Sequence, residues 1–323
     1  MAIRPMTRPL LLPYTSEAFP AGVLFNGSAE LSVTWNEILW AALTIGRPSV
    51  HHAFANGVPS LHEAIFRLSL VRMALEQYGP SATRLRRTGA FKSLDPTEKG
   101  AISYFLGMTF CKVFASRLLH TPWLLHLDVF KATIPTSVLG RSRPDLIGQH
   151  TGSGDWVAFE TKGRAGKPSA TDRTKAKTQA LRLLSVNGAP CTLHVGSFTF
   201  FANDALAFHW IDPPGEPRKP IEVTDVGDAW RFYYGPARAL WDARANPKVA
   251  VGDGQVGLPE LDLLIKVHPL LEPFFLEGDF ARAQGAMFES GEVLKSDGFN
   301  PDGLKVECGP SWRERRDFAP IGE

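Results

Sequence analysis

Hydrophobic and polar positions divide the chain into helical and strand-like stretches. Residues 1–30 are rich in proline and turn residues and show no clear period. From Glu30 to Gln77 the spacing is mostly helical. Ser60-Leu61-His62-Glu63 opens a helix with apolar positions Ile65, Leu68, Val71, Met73 and Leu75, and Tyr78-Gly79-Pro80 stops it. Asp95-Pro96-Thr97-Glu98 is a strong helix start, with Asp95 as N-cap, Pro96 at the first helical position and Glu98 at the third. The spacing predicts a helix from there to about Leu119, with Gly100 and Gly107 on a similar side for close approach to a neighbour.

Four strand-like stretches follow. They are Trp123 to Phe130, Arg143 to Gln149, Trp156 to Lys162 and Cys191 to Phe201. The turn Thr151 to Asp155 joins the second and third as a hairpin. A helix from about Ser169 to Val186, stopped by Asn187-Gly188, precedes the fourth. Beyond Asp212, Pro213 to Pro217 reads as a linker or long loop, Trp230 to Tyr234 as a short strand, and Glu260 to Phe275 as a helix interrupted by Pro269. The pattern predicts a mixed α/β (α+β) fold in three regions: a mostly helical 1–94, a core at 95–212 and an accessory C-terminal region at 213–323.

Composition bounds this picture. The chain has 323 residues, 44% hydrophobic and 21% charged, which fits a folded soluble protein of one large domain or two. No stretch is apolar enough to span a bilayer. Met1 to Leu12 reads as a loose leader and not a signal peptide. The three cysteines, Cys111, Cys191 and Cys308, form no CxxC pair, which speaks against a zinc site or disulfide framework and for a cytoplasmic location. The net charge of +2 says little about partners, but seven basic residues lie between Lys162 and Arg182 against one acid, Asp172. Arg84, Arg86, Arg87 and Lys92 form a second basic cluster. Each cluster reads equally well as a solvated face. His51, His52, His62, His120, His126 and His150 show no zinc spacing and read as packed or surface residues. There is no Walker loop, dinucleotide fingerprint or GxSxG elbow.

Two segments carry candidate chemistry: Ser142-Arg143-Pro144-Asp145-Leu146-Ile147-Gly148 and Trp156-Val157-Ala158-Phe159-Glu160-Thr161-Lys162-Gly163. Alternation along a strand puts Glu160 and Lys162 on one side, and the hairpin brings Asp145 beside them. Two carboxylates and an ammonium at one end of a sheet suit phosphodiester hydrolysis. A hard divalent cation takes oxygen ligands, polarises the phosphate and offsets charge growing in the transition state. The acid-x-Lys triplet Glu160-Thr161-Lys162 occurs once, and the other Pro-Asp pair, Pro301-Asp302, has no such triplet after it.

These residues resemble the PD-(D/E)xK motif of the restriction-endonuclease-like nucleases, over about residues 95–205, where the predicted order is also that superfamily's αβββαβ core. The resemblance implies that Asp145, Glu160 and the carbonyl of Thr161 bind Mg²⁺ (or Mn²⁺) and that Lys162 is the catalytic lysine. It implies a further acid on the preceding helix, for which Glu98 is the candidate, Glu63 the reserve and Asp128 another nearby acid. It also implies that the helix after the motif borders the site. Arg143, Arg164, Lys175, Gln179 and Arg182 are the candidate nucleic-acid contacts. Leu183 stands where one exonuclease-like branch has tyrosine, which speaks against that branch.

The expected function is a metal-dependent DNA endonuclease, with a bacterial defence or restriction role by analogy. DNA is favoured over RNA, no membrane is involved, and a homodimer and a partner protein in a defence system are further expectations. The rival readings are an RNA-cleaving enzyme of the same fold and a non-cleaving nucleic-acid-binding or adaptor protein.

Overall fold

A computed structural model of the chain describes residues 9–45, 58–77, 83–130, 143–216, 220–243, 250–252 and 254–313. The stop at Tyr78-Gly79-Pro80, Ser142 and the pair His51-His52 lie outside them. The N-terminal region holds β1 (Leu10–Glu17), β2 (Gly27–Val33), α1 (Trp35–Thr44), α2 (Val58–Ala74), β3 (Leu75–Gln77), β4 (Leu85–Arg87) and α3 (Gly89–Ser93). The central region holds α4 (Pro96–Leu118), β5 (Trp123–His126), β6 (Leu146–Gln149), β7 (Trp156–Gly163), α5 (Ala170–Ala180), β8 (Leu183–Val186), β9 (Ala189–Ala202) and β10 (Ala205–Ile211). After these come β11 (Ile221–Val223), α6 (Trp230–Asp242), β12 (Ala250–Gly252), β13 (Gln255–Leu258), β14 (Leu263–Val267), α7 (Glu272–Glu277), α8 (Phe280–Glu289), α9 (Gly291–Ser296) and β15 (Leu304–Cys308).

The fold is mixed α/β. One large, mostly open sheet runs in the order β2-β1-β10-β9-β7-β6-β5, with β3, β4, β8 and β11 attached to its sides, and β12 to β15 form a second, antiparallel sheet. No helix among the described residues is long and apolar enough to cross a membrane. One hydrophobic cluster extends from Leu10 to Trp312 and takes in residues of all three sequence regions.

The large sheet carries a helix on each face of β7 and β9. Gly196 pairs with Glu160, and a Cβ there would lie 3.1 Å from the Ala176 side chain of α5. Phe198, which pairs with Lys162, clusters with Ala176, Phe200 and Ala207. Glu160 and Lys162 therefore belong to the α5 face. On the other face α4 lies almost against the backbone of β7. A Cβ on Gly107 would fall 2.8 Å from Gly163 N, and one on Gly163 only 1.6 Å from the Ser103 carbonyl oxygen. Farther along α4, Phe114 stacks on Phe208 of β10 with centroids 3.9 Å apart. Gly107 makes the expected close approach, while Gly100 faces open space.

This difference sets an expected result. Gly163→Ala must push α4 off the sheet and is expected to cost about 3 kcal/mol or more, since overpacking against backbone has no flexible side chain to yield. Gly107→Ala is expected to cost about 1–3 kcal/mol. Gly100→Ala is expected to gain roughly 0.5–1 kcal/mol through helix propensity alone. Urea unfolding of the three variants checks the order, which a destabilised Gly100→Ala would break.

Several elements differ from the sequence reading, each for a physical reason. The stretch without a period contains β1, where Leu10, Leu12, Tyr14 and Ser16 alternate as buried positions. Pro13 hides that pattern and is tolerated because pairing with β10 starts only at Tyr14. The N-terminal region thus supplies strands as well as helices. The first central strand ends at His126 and continues as a 3-10 turn, Leu127–Phe130. The helix after the motif stops at Ala180. Asn187 and Gly188 both take positive φ and form the two-residue turn of the β8–β9 hairpin, not a helix stop. Trp230 to Tyr234 is not a strand but the start of α6. Its buried Trp230, Tyr233, Tyr234, Ala237 and Trp241 follow the helical repeat. The helix expected from Glu260 to Phe275 is instead β14 before Pro269, with buried Leu263, Ile265 and Val267 alternating between β13 and β15, and only from Glu272 is it helical, as α7.

Candidate active site

The hairpin that carries the motif fixes its geometry. Leu146 of β6 pairs with Phe159 of β7, and Asp145 directly precedes that pair. The ladder continues through Asp145, whose N–H donates to Phe159 O (3.0 Å) and whose carbonyl accepts from Leu127 N–H (2.7 Å). Lys162, two residues beyond Glu160, donates a hydrogen bond from Nζ to Glu160 Oε1. Asp145 Oδ2 accepts from both Thr161 N–H (2.9 Å) and Thr161 Oγ1 (3.1 Å). The four residues of the motif therefore meet at one end of the sheet.

Glu160 is fully buried, and its Oε2 has no hydrogen-bond donor. Burial, then the neighbouring charge of Asp145, pushes its carboxyl up to about 8, against the pull of Lys162. Asp145 is also raised. Burial is the main cause, opposed by the Thr161 N–H and by Lys162, while Asp128 adds to the rise. Two desolvated carboxylates thus face one ammonium, and one carboxylate oxygen has nothing to bind.

A third acid that acts on Asp145 is Asp128, just after β5. Glu98 sits exposed at the start of α4, where its Oε2 accepts from Asp95 N–H (3.2 Å) in a capping box. Glu63 pairs with Arg67 (3.1 Å) on α2. Asp128 forms an ion pair with Arg143, two residues before Asp145, and the Arg143 carbonyl accepts from Gln179 Nε2 of α5 (3.4 Å). Gln179 and Arg143 therefore border the site.

The remaining expected contacts are placed differently. Arg164 pairs with Asp172 (2.6 Å), which itself caps α5. Lys175 is exposed on α5. Arg182 is buried past the end of α5, so it does not share a solvent face with Asp172, Lys175 and Gln179. Much of the basic run is internally neutralised. Lys177 is buried against Asp212 (2.6 Å), and Arg173 meets Glu17 (3.3 Å). The other basic cluster is paired as well: Arg84 with Glu30, Arg86 with Glu76, and Arg87 and Lys92 with Asp204.

Sequence reasoning missed Tyr104 of α4. Its hydroxyl lies 3.0 Å from His126 Nε2. Burial, then the charges of Asp145, Asp128 and Glu160, hold its pKa above the usual tyrosine range. No motif marks a lone helical tyrosine, and only the packing of α4 on β7 brings it here. The three cysteines are free, and burial pushes their thiols up, Cys111 to about 12 and Cys308 to about 11, so none is an activated nucleophile.

Among the described residues no group of three or more His, Cys, Asp or Glu side chains is arranged to hold a metal ion. Asp145 and Glu160 offer two carboxylates, so a cation here needs main-chain, solvent or substrate oxygens to complete its shell. The buried Glu160 Oε2 without a donor and the mutual repulsion of the two carboxylates fit that donor set. Comparison of the chain with protein-family models, curated proteins and solved structures finds no match.

Proposed function

We propose that the chain is a divalent-metal-dependent nuclease of the PD-(D/E)xK, restriction-endonuclease-like kind, acting on DNA. The observation that carries this reading is the meeting of Asp145 with Glu160-Thr161-Lys162: Asp145 Oδ2 accepts from the Thr161 N–H and hydroxyl, and Lys162 donates to Glu160. The order α4, β5, β6, β7, α5 and then β9 supports the same fold family, with β8 inserted. In this reading Asp145, Glu160 and the Thr161 carbonyl hold Mg²⁺ or Mn²⁺, which when bound supplies Lewis-acid polarisation of the phosphate and neutralises developing charge.

The chain's own residues supply the rest. Thr161 fixes the rotamer of Asp145 through its N–H and hydroxyl. Lys162, partly exposed at the rim, orients the attacking water or contacts the phosphate. Gln179 and Lys175 lie on α5, and Arg143, whose carbonyl accepts from Gln179, lies two residues before Asp145. Cutting both strands of a duplex takes a dimer or two passes by one site; a homodimer is proposed on the first, and a role in bacterial defence beside a partner protein by analogy alone.

The test is incubation of the purified chain with plasmid DNA and with RNA, in Mg²⁺, Mn²⁺ or EDTA, beside Lys162→Ala and Asp145→Ala. Plasmid cleavage that needs the cation and falls by about 100-fold or more in either variant is the expected result, the scale of losing one electrostatic stabiliser. Cleavage that survives both substitutions sinks the assignment. Preferential cutting of RNA favours the RNA-directed enzyme, and binding without cutting favours the non-cleaving protein.

A further inference from the structure

We infer that Tyr104 donates a hydrogen bond to the substrate phosphate at this site and that His126 positions it, an inference that rests on the nuclease reading above. Tyr104 follows Ser103, whose carbonyl lies where a Cβ on Gly163 would be, so the start of its side chain is locked beside Lys162-Gly163. Its hydroxyl makes one hydrogen bond among the described residues, to His126 Nε2.

The direction of that bond follows from the other ring nitrogen. His126 is buried, and its Nδ1 accepts the Asp128 N–H (3.2 Å). In the neutral ring the proton is then on Nε2, which donates to the tyrosine oxygen. The Tyr104 hydroxyl hydrogen is left for another acceptor, and the residue is 39% exposed. Accepting from the buried His126 Nε2–H uses the hydroxyl oxygen and leaves its hydrogen to be accounted for.

The surroundings name the acceptor. His126 pairs with Leu146, next to Asp145, so its hydrogen bond to Tyr104 puts the hydroxyl at the Asp145 end of the sheet, where the charges of Asp145, Asp128 and Glu160 also act on it. Asp128 is tied to Arg143, and Arg143 leads into Asp145. A phosphodiester held at Asp145 and Glu160 presents anionic oxygens there, and a neutral phenol donates to such an oxygen with no charge to desolvate.

The test compares Tyr104→Phe, His126→Ala, His126→Gln and the double variant Tyr104→Phe/His126→Ala with the unaltered chain. Mg²⁺-dependent cleavage of a labelled duplex gives kcat and KM, and duplex affinity is measured separately in Ca²⁺. Tyr104→Phe is expected to lower kcat by about 10- to 100-fold, the scale of a hydrogen bond to a charged group, with KM changing less. His126→Ala is expected to match it, the double variant to be no worse than either single, and His126→Gln, which keeps an N–H donor, to recover most of the loss. Tyr104→Phe cleaving within threefold of the unaltered chain overturns the inference and leaves the nuclease reading intact. Multiplicative losses in the double variant overturn the positioning role. If the unaltered chain does not cleave, both readings fall. If the His126 variants do not fold, Tyr104→Phe decides alone.

Discussion

Glu160→Gln is expected to abolish cleavage and to make the protein more stable. The side chain is fully buried with one oxygen lacking a donor, and the neighbouring charge of Asp145 acts on it. Such an arrangement costs folding energy unless something outside the protein relieves it. Glutamine keeps the shape, removes the charge and offers an N–H to Asp145. Lys162 loses its partner, but it is partly exposed and its ammonium stays solvated. The gain in stability at pH 8.5 is expected to be about 1–2 kcal/mol, typical of removing an unfavourable functional group, while on the proposed nuclease reading kcat falls by about 1,000-fold or more with the loss of the proposed cation ligand.

The pH dependence has a definite sign. Glu160 titrates near 8 in the fold and near 4.5 as an ordinary glutamate. Between those values the native state holds a proton that the unfolded state has released, so stability falls as pH rises through this window and levels off above it. Asp145, raised for the same reason, acts in the same direction at lower pH. Urea unfolding in EDTA at pH 5.5, 7 and 8.5 is expected to show this decline in the unaltered chain and a shallower one in Glu160→Gln. A glutamine variant less stable than the parent at pH 8.5 would remove the argument that these carboxylates are held together for a ligand.

The parts of the site that lie within one strand or one turn were legible in the sequence. Alternation alone puts Glu160 and Lys162 on one face, and a short hairpin turn fixes the β6–β7 pairing that brings Asp145 beside Thr161. The start of α4 was equally clear, because Asp95, Pro96 and Glu98 act within one turn of helix. That local clarity also misdirected the search for a third acid. Glu98 has a complete role in the capping box, whereas Asp128 joins the site through a 3-10 turn whose position depends on β6.

What depends on distant packing was not legible. Asn187-Gly188 suits both a helix stop and a hairpin turn, and pairing of β8 with β9 and β11 decides between them. Trp230, Tyr233 and Tyr234 have high strand propensity, yet the core under α6 selects the helical repeat. The difference between Gly100 and Gly107 likewise belongs to β7, not to α4. Basic residues were the least informative, since ion pairs with distant acids such as Asp204, Asp212 and Glu17 absorb most of them.

Asp302→Ala is expected to have the largest effect on stability of any single change far from the site. Asp302 is fully buried, and so is Lys112 in the middle of α4. Trp40 Nε1 and the Tyr233 hydroxyl each donate to Asp302 Oδ2 at 2.7 Å, and Leu304 N–H donates to Oδ1 at 3.1 Å. Lys112 Nζ donates to the Tyr233 hydroxyl (2.8 Å), the Thr44 carbonyl (3.1 Å) and the Thr44 hydroxyl, and lies over the rings of Trp40 and Tyr233. Tyr233 thus relays between the cation and the carboxylate. Burial pulls the Lys112 ammonium well below its usual range and pushes Asp302 up, and each charge opposes the other's shift. Alanine at 302 leaves three buried donors without an acceptor and Lys112 without its counter-charge. The expected cost is about 3–5 kcal/mol, or a fall in melting temperature of roughly 10 °C for a chain of this size. Lys112→Met alone is expected to be destabilising too, but combining it with Asp302→Asn should recover part of the sum, because the pair then leaves no unmatched charge. Thermal and urea unfolding of the cycle measure that coupling. A loss below 1 kcal/mol in Asp302→Ala would show that the network is not needed to hold α1, α4 and α6 together. Because α4 also carries Gly107 and Tyr104 onto β7, cleavage by Asp302→Ala should fail above its lowered melting point and persist below it.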